Sequence, residues 1–177
     1  MPDEIVVEGA PVLREAAKEV PKKMFGTKEL ADMVSRMSAS LRATSNGVAI
    51  AAPQIAIPYR IFVVSGFVVT GGERNLEDPD VAFINPKILK LSHEKETLEE
   101  GCLSVPGLYG KIVRSSKAKV RAYTPEGKKF ERGSGGLMAQ IFQHEIDHLN
   151  GILFIDNAYD LARPEHPVPA EKRNKKE

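Results

Sequence analysis

Two of the chain's four histidines stand four residues apart in the stretch QHEIDHLNG, Gln143 to Gly151, with a glutamate directly after the first. No other feature constrains the fold as strongly. Imidazoles at i and i+4 share a face only if the segment is helical, so His144 and His148 predict a helix whose inward face can grip one ion. Glu145 sits one residue off that line, close enough to take a proton from a water at the ion without being a ligand itself. Ser134 can cap this helix, Gly135 and Gly136 open it, and Asn150-Gly151 is a C-terminal stop. Leu137, Ile141, His144, Glu145 and His148 then fall on neighbouring turns of one face.

Two ligands do not make a site. Downstream, the proline-rich tail offers only His166, and no helical partner glutamate appears. Upstream lies EEGCLSVPG, Glu99 to Gly107, with the chain's single cysteine. Cys102 follows a glycine in a β-type segment that leaves a loop. A thiolate with two imidazoles suits a divalent transition metal and leaves a fourth position open, as catalysis requires and a structural site does not. Cys102 is the expected third ligand. A third unusual stretch, NGVAIAAPQI, Asn46 to Ile55, has small residues that let a substrate backbone lie close. It reads either as a tightly packed buried strand ending in Gln54 or as a groove whose glutamine amide donates to an oxyanion.

The 177 residues suffice for one domain with a sizeable core, and a net charge of +1 with mixed signs gives no electrostatic case for nucleic-acid binding. One cysteine excludes an intrachain disulfide. The acidic MPDEIVVEGA start lacks the basic region and apolar core of a signal peptide, and RIFVVSGFVVT is too short to span a bilayer, so a cytoplasmic protein off the membrane is expected. Leu30, Met33, Val34, Met37 and Leu41 recur at helical spacing and predict an amphipathic helix over residues 27–43. Strands are expected at Tyr59–Val64, Phe67–Val69, Val81–Ile84 and Lys87–Ser92. A hairpin is expected from Ala118–Tyr123 through the turn TPEG to Lys128–Gly133, and a surface loop at Gly71–Asp80. Without βαβ alternation the pattern is α+β: small antiparallel or mixed β-sheets packed around a central helix that carries the H-E-x-x-H motif. Residues 1–162 form the expected single catalytic domain, and 163–177 a polar tail with nothing to bury.

Together the three stretches resemble the peptide deformylase family. Its Gly-rich segment ending in Ala-Ala-x-Gln, its Glu-Gly-Cys-Leu-Ser segment and its Gln-His-Glu-x-Asp-His-Leu segment match Gly47 to Gln54, Glu100 to Ser104 and Gln143 to Leu149, in that order. PVLREAAKEV, FINPKI and Arg114 extend the likeness from Pro11 to about Ile155. The resemblance implies hydrolysis of the formyl group of N-formylmethionyl peptides and nascent chains, a setting in which ribosome association is a possible further contact. It implies one divalent metal on Cys102, His144 and His148: Fe²⁺ in the cell, with Zn²⁺, Ni²⁺ or Co²⁺ able to replace it. Glu145 is the implied base and then acid, with the Gln54 amide and the Leu103 backbone N–H holding the oxyanion. Gln143, Ser104 and Asp147 are candidates to orient ligands, although Asp147 could equally face solvent. Substrate-binding positions carried over are Gly47, Val48, Ala49, Glu100, Gly101, Tyr109, Leu137 and Ile141. Leu98 is either pocket wall or plain core. Glu100 and Arg114 form either an ion pair beside the metal loop or separate rim charges. Two positions depart from the family pattern: Ala49 stands where a second glycine is usual, and Gln140 where arginine or an aliphatic residue is common. A metallopeptidase would need a ligand downstream of the helix, and a closed structural site a fourth ligand; neither is supplied.

Overall fold

The computed structural model describes residues 2–163. The expected polar tail, apart from Arg163, therefore lies outside the described residues. A five-stranded sheet has the order β1 (Ala49–Ala51), β2 (Ile61–Val64), β3 (Val81–Leu91), β6 (Lys117–Tyr123), β7 (Lys129–Gly135). A three-stranded sheet joins β4 (Lys95–Cys102), β5 (Val105–Ser115) and β8 (Tyr159–Ala162). Every strand pairing recorded within the two sheets is antiparallel. The described residues also form three α-helices: α1 (Lys28–Arg42), α2 (Gly66–Thr70) and α3 (Gly136–Leu149).

The run IFVV in β2 is apolar at every position because both faces of the sheet are covered there. Phe62 and Val64 join Ala49, Ala51 and Phe83 against Phe142, Ile146 and Leu149 of α3. Ile61 and Val63 point the other way, with Ile50 and Ile84, against Leu30, Met37 and Leu41 of α1. Period-two alternation thus persists, hidden from the sequence because each face meets a helix. Phe62 stacks on Phe83 with ring centroids 4.6 Å apart, and Phe142 meets Phe83 edge-on at 5.5 Å. A third cluster, Leu13, Val105, Ile112, Leu153 and Phe154, ties the N-terminal segment to the second sheet.

Helix α1 begins where expected, with the Thr27 hydroxyl accepting from the Leu30 N–H. Three expectations change. Phe67–Val69 is helical, not a strand: it lies inside α2, whose N–H groups at Val68 and Val69 turn back to the Ser65 carbonyl. Ser134 does not cap α3, because β7 keeps its register with β6 through Gly135 and the serine is spent opposite Ala118. The two runs 81–84 and 87–92 are one strand, β3, irregular around Asn85-Pro86. Asn85 takes a positive φ of 49°, tolerable for asparagine, and its amide bonds both the N–H and the carbonyl of Val20.

The exit from α3 demands glycine. Gly151 has φ of 74°, and a Cβ there would lie 2.5 Å from the Arg14 carbonyl oxygen. That close approach lets the Ala17 N–H bond the Leu149 carbonyl, and Arg60 adds a bond to the same oxygen.

Candidate active site

Three elements bring the sequence motifs together. Strand β1 ends at Ala51, and the chain turns through a 3-10 helix, Ala52–Ile55, which places Gln54 in the interior. Strand β4 ends at Cys102, and α3 crosses behind both. The Cys102 Sγ and one nitrogen from each of His144 and His148 lie within 4.8 Å of one another. Cys102 Sγ is 3.2 Å from His148 Nε2. The Ser104 N–H points at the same sulfur from 3.4 Å.

His144 is oriented from behind. Its Nδ1 lies 2.8 Å from Glu100 Oε2, and Glu100 is gripped on both oxygens by Arg114, at 2.8 and 3.0 Å. Burial pushes the Glu100 carboxyl up, but the hydrogen bonds from His144 and Arg114 outweigh it and hold the group at about 2. An ionised Glu100 makes the ring Nδ1–H the donor, which frees Nε2 to ligate. Arg114 also donates to Asp147 at 2.6 Å. Both sequence alternatives for Arg114 and Asp147 thereby resolve: Glu100, Arg114, Asp147 and His144 form one chain of charge across β4, β5 and α3. The Glu100 side chain faces His144, so only its backbone remains for a substrate.

Gln54 is equally fixed. Its Oε1 accepts from the Ala51 N–H at 2.8 Å, which turns Nε2 toward Ser104 Oγ, 3.1 Å away, and toward Cys102 Sγ at 3.5 Å. Gln143 clamps α3 to the end of β5, accepting from the Ser115 N–H and donating to its carbonyl and to the Ala139 carbonyl. Glu145 is 4 % exposed, and burial lifts its carboxyl to about 7. Its Oε2 and His148 Nδ1 are the two buried side-chain polar atoms without a hydrogen-bond partner among the described residues. A thiol and two imidazoles converging near a buried carboxyl with one unpartnered oxygen are a donor set that fits a divalent transition metal.

Of the other sequence-selected positions, Val48 is half-buried against the α3 cluster, and Ile141 lies within that cluster. Tyr109 lies opposite Gly101 across β4 and β5, so close that a Cβ on Gly101 would meet the tyrosine ring at 2.6 Å. Gly47 is tucked against Thr44, whose hydroxyl accepts its N–H. Leu137 stands apart at the start of α3, 39 % exposed. Sequence reading missed that Ser104 Oγ receives the Gln54 amide and that Gln140 Nε2 donates to the Glu99 carbonyl at 3.0 Å. Partners 41 to 50 residues apart leave no local signal.

The family model "Polypeptide deformylase" matches residues 2–164. The chain belongs to the peptide deformylase family. Peptide deformylase from Desulforudis audaxviator is 42 % identical over 161 residues, 88 % of this chain and 92 % of that protein. The deformylase of Halothermothrix orenii is 43 % identical over 148 residues, 84 % of this chain and 88 % of its own. Among solved structures, peptide deformylase from Thermotoga maritima superposes with a TM-score of 0.77 at 38 % identity, covering 90 % of this chain and 99 % of that one. A class I type b peptide deformylase from Acinetobacter baumannii bound to Met-Ala-Ser gives 0.79 at 35 % identity, covering 89 % and 99 %. The chain is thus a metal-dependent hydrolase that removes the N-formyl group from nascent polypeptides. The α+β deformylase fold expected from the sequence is the fold observed.

Proposed function

We propose that the deformylase reaction runs at the Cys102–His144–His148 cluster on N-formylmethionyl peptides, with Glu145 as the group that moves the proton. The supporting observation is the buried Glu145 carboxyl, next to His144 and without a partner on Oε2 among the described residues, in a site where Gln54, Glu100 and Arg114 already have hydrogen-bond partners. Cys102, His144 and His148 would hold one divalent ion, ferrous iron in the cell, with zinc, nickel or cobalt as substitutes. Such an ion supplies Lewis acidity toward water and the formyl oxygen. Glu145 accepts the proton of the attacking water as the new C–O bond forms, then gives it to the amine nitrogen as the C–N bond breaks, releasing formate. A carboxyl group near pH 7 is suited to both transfers. The Gln54 amide and the Leu103 backbone N–H would steady the tetrahedral oxyanion, each worth on the order of 3 kcal/mol of barrier.

The peptide would add as a strand beside β1, whose outer edge bears no strand among the described residues, with the segment Gly47, Val48 and Ala49 along one side and Gly101 along the other. Val48, Tyr109, Leu137 and Ile141 would surround the methionine side chain. We place the reaction in the cytoplasm, where formylated chains leave the ribosome; no helix among the described residues is long and apolar enough to cross a membrane. The test is anaerobic purification with metal analysis, followed by assay of formyl-Met-Ala-Ser, its acetyl analogue and a peptide cleavable only internally. About one transition ion per chain and release of formate alone are expected. Comparable turnover of the acetyl or internal substrate would overturn the assignment.

A further inference from the structure

The face of the larger sheet that lies under α1 runs on past that helix. Ile84 of β3 and Tyr123 of β6 pair there and pack with the α1 cluster. Further along β6, alternation brings Arg121, Lys119 and Lys117 to the same face. Register places Lys90 of β3 opposite Lys119, Gly133 of β7 on the other side of Lys119, and Gly135 opposite Lys117. Lys90, Ser92, Lys117, Lys119, Gly133 and Gly135 line a cleft of about 590 Å³, and no carboxylate is among the residues that line it. Two features of this cleft work against the fold. Like charges directly opposite on neighbouring strands destabilise a sheet, and Lys90 and Lys119 stand so. Glycine inside a strand weakens it, and β7 has two on this face. Neither has a positive φ, and an added Cβ would meet nothing nearer than 3.8 Å at Gly133 or 3.5 Å at Gly135. The backbone does not require glycine at either position.

Both costs are offset when an anion fills the cleft. We propose that it binds a small polyphosphate, either as the free inorganic chain or as the tail of a nucleoside polyphosphate. Lys90 and Lys117 have no carboxylate partner among the described residues, and Lys119 shares Glu131 with Arg121. Neighbouring strands lie about 4.8 Å apart and like-facing residues of one strand about 7 Å apart, so three ammonium groups surround one small volume. Several phosphates of one molecule answer all three, whereas a single carboxylate leaves two without a partner. Lysine serves phosphate as a point charge, and the bare glycine floor lets the anion approach the backbone. Helix α3 starts at the rim: Gly135 is its N-cap residue and no side chain caps it, so the positive end of the helix adds to the field. No aromatic side chain lines the cleft for a base to stack on, so the phosphates carry the recognition. The cleft lies roughly 13 Å along α3 from His144, and its occupancy does not depend on the reaction proposed there.

Equilibrium dialysis of the metal-loaded protein against inorganic tripolyphosphate at low ionic strength should show one saturable site per chain. Lys90→Ala and Lys117→Ala should each weaken binding about fivefold, the worth of one charge-assisted contact. Gly133→Val leaves every charge in place and raises the floor, so it should weaken binding by a similar factor. Valine suits a strand, so without ligand this variant should melt no lower than the parent. Lys87→Ala removes an equal charge that does not line the cleft, and should stay within about twofold of the parent. ATP in place of tripolyphosphate separates the two sources: equal affinity assigns the site to the phosphate chain alone, and tighter binding assigns it to a nucleoside polyphosphate. Three results would each overturn the proposal: no saturable binding, unchanged binding by Gly133→Val, or a loss in Lys87→Ala as large as in Lys90→Ala. A Gly133→Val protein that melts several degrees lower without ligand would also sink it, since the glycine would then serve the fold.

Discussion

Glu145 differs from every other acid among the described residues in what surrounds it: it is buried, raised to about 7 by that burial, and one of its oxygens has no partner there. A carboxylate held this way serves proton transfer better than stability. Glu145→Gln should therefore retain about one metal ion per chain, keep the parent's unfolding temperature or exceed it, and lose at least a hundredfold in kcat on formyl-Met peptides. Turnover above about a tenth of the parent's would remove Glu145 from the mechanism. Cys102 tests a different property. Its sulfur is contacted by the Ser104 N–H, the Gln54 amide and His148. Cys102→Ser keeps a small polar side chain but substitutes a hard, neutral hydroxyl for a thiolate, so metal should be lost on dialysis under conditions where the parent keeps it. Metal analysis after matched dialysis decides the matter, with no activity assay needed.

At the scale of elements, β1 shows how three residues serve two masters. Ala49 and Ala51 face α3 while Ile50 faces α1, and Ala49 pairs with Val64 across the ladder. The methyl of Ala49 is thus core, and the groove proposed for the peptide would see only backbone, so alanine is compatible there despite the glycine expected from the family resemblance. Ala49→Gly should lower stability by about 1 kcal/mol, from the lost buried methyl and the freer unfolded backbone, and leave kcat/KM within about threefold. A tenfold rise in kcat/KM would show that the methyl obstructs the groove. Strand β4 is built with the same economy. Glu100 turns inward to His144 and Arg114, while Glu99, its neighbour, presents a carbonyl to Gln140.

Across the whole molecule, the site depends on two sheets meeting over α3, and the segments that hold them together come from opposite ends of the chain. Arg14 donates to Asp156 at 2.6 Å, tying the N-terminal 3-10 turn to the one that follows α3. That hydrogen bond holds the Asp156 carboxyl below its ordinary value. A depressed carboxyl contributes stability above its unfolded-state pKa, and the contribution disappears as the pH falls through the folded value. Asp156→Asn should accordingly unfold at a lower temperature than the parent at pH 7, and the gap should close as the pH drops below about 4. Melting curves from pH 7 down to pH 3 check it; a gap that stays constant across that range would mean that the pair adds nothing through charge. Both side chains are about a third exposed or more, so the gap at pH 7 should be small.

Some of this was present in the linear chain. The i, i+4 histidines required a helix, the lone cysteine falls beside both of them, and apolar periodicity located α1 within a residue at each end. Short-range geometry is written in short-range sequence, because side-chain direction along a helix depends only on spacing. Other features had no such signal. FVV reads as a strand by β propensity, yet it forms α2, because Gly66 has its nearest neighbours in the backbone of Asp78 and Pro79 and the turn is closed from outside. IFVV shows no alternation because the helices covering its two faces come from segments before and after it. Strands β4 and β5 are polar enough to pass for loop, and their pairing depends on a register that only the partner strand defines. Most of all, the sequence named Glu100, Arg114, Asp147 and Gln54 without fixing their partners. Which carboxylate orients His144, which way the Gln54 amide points and which Glu99 atom Gln140 occupies are long-range contacts, and only the packing of two sheets on one helix decides them.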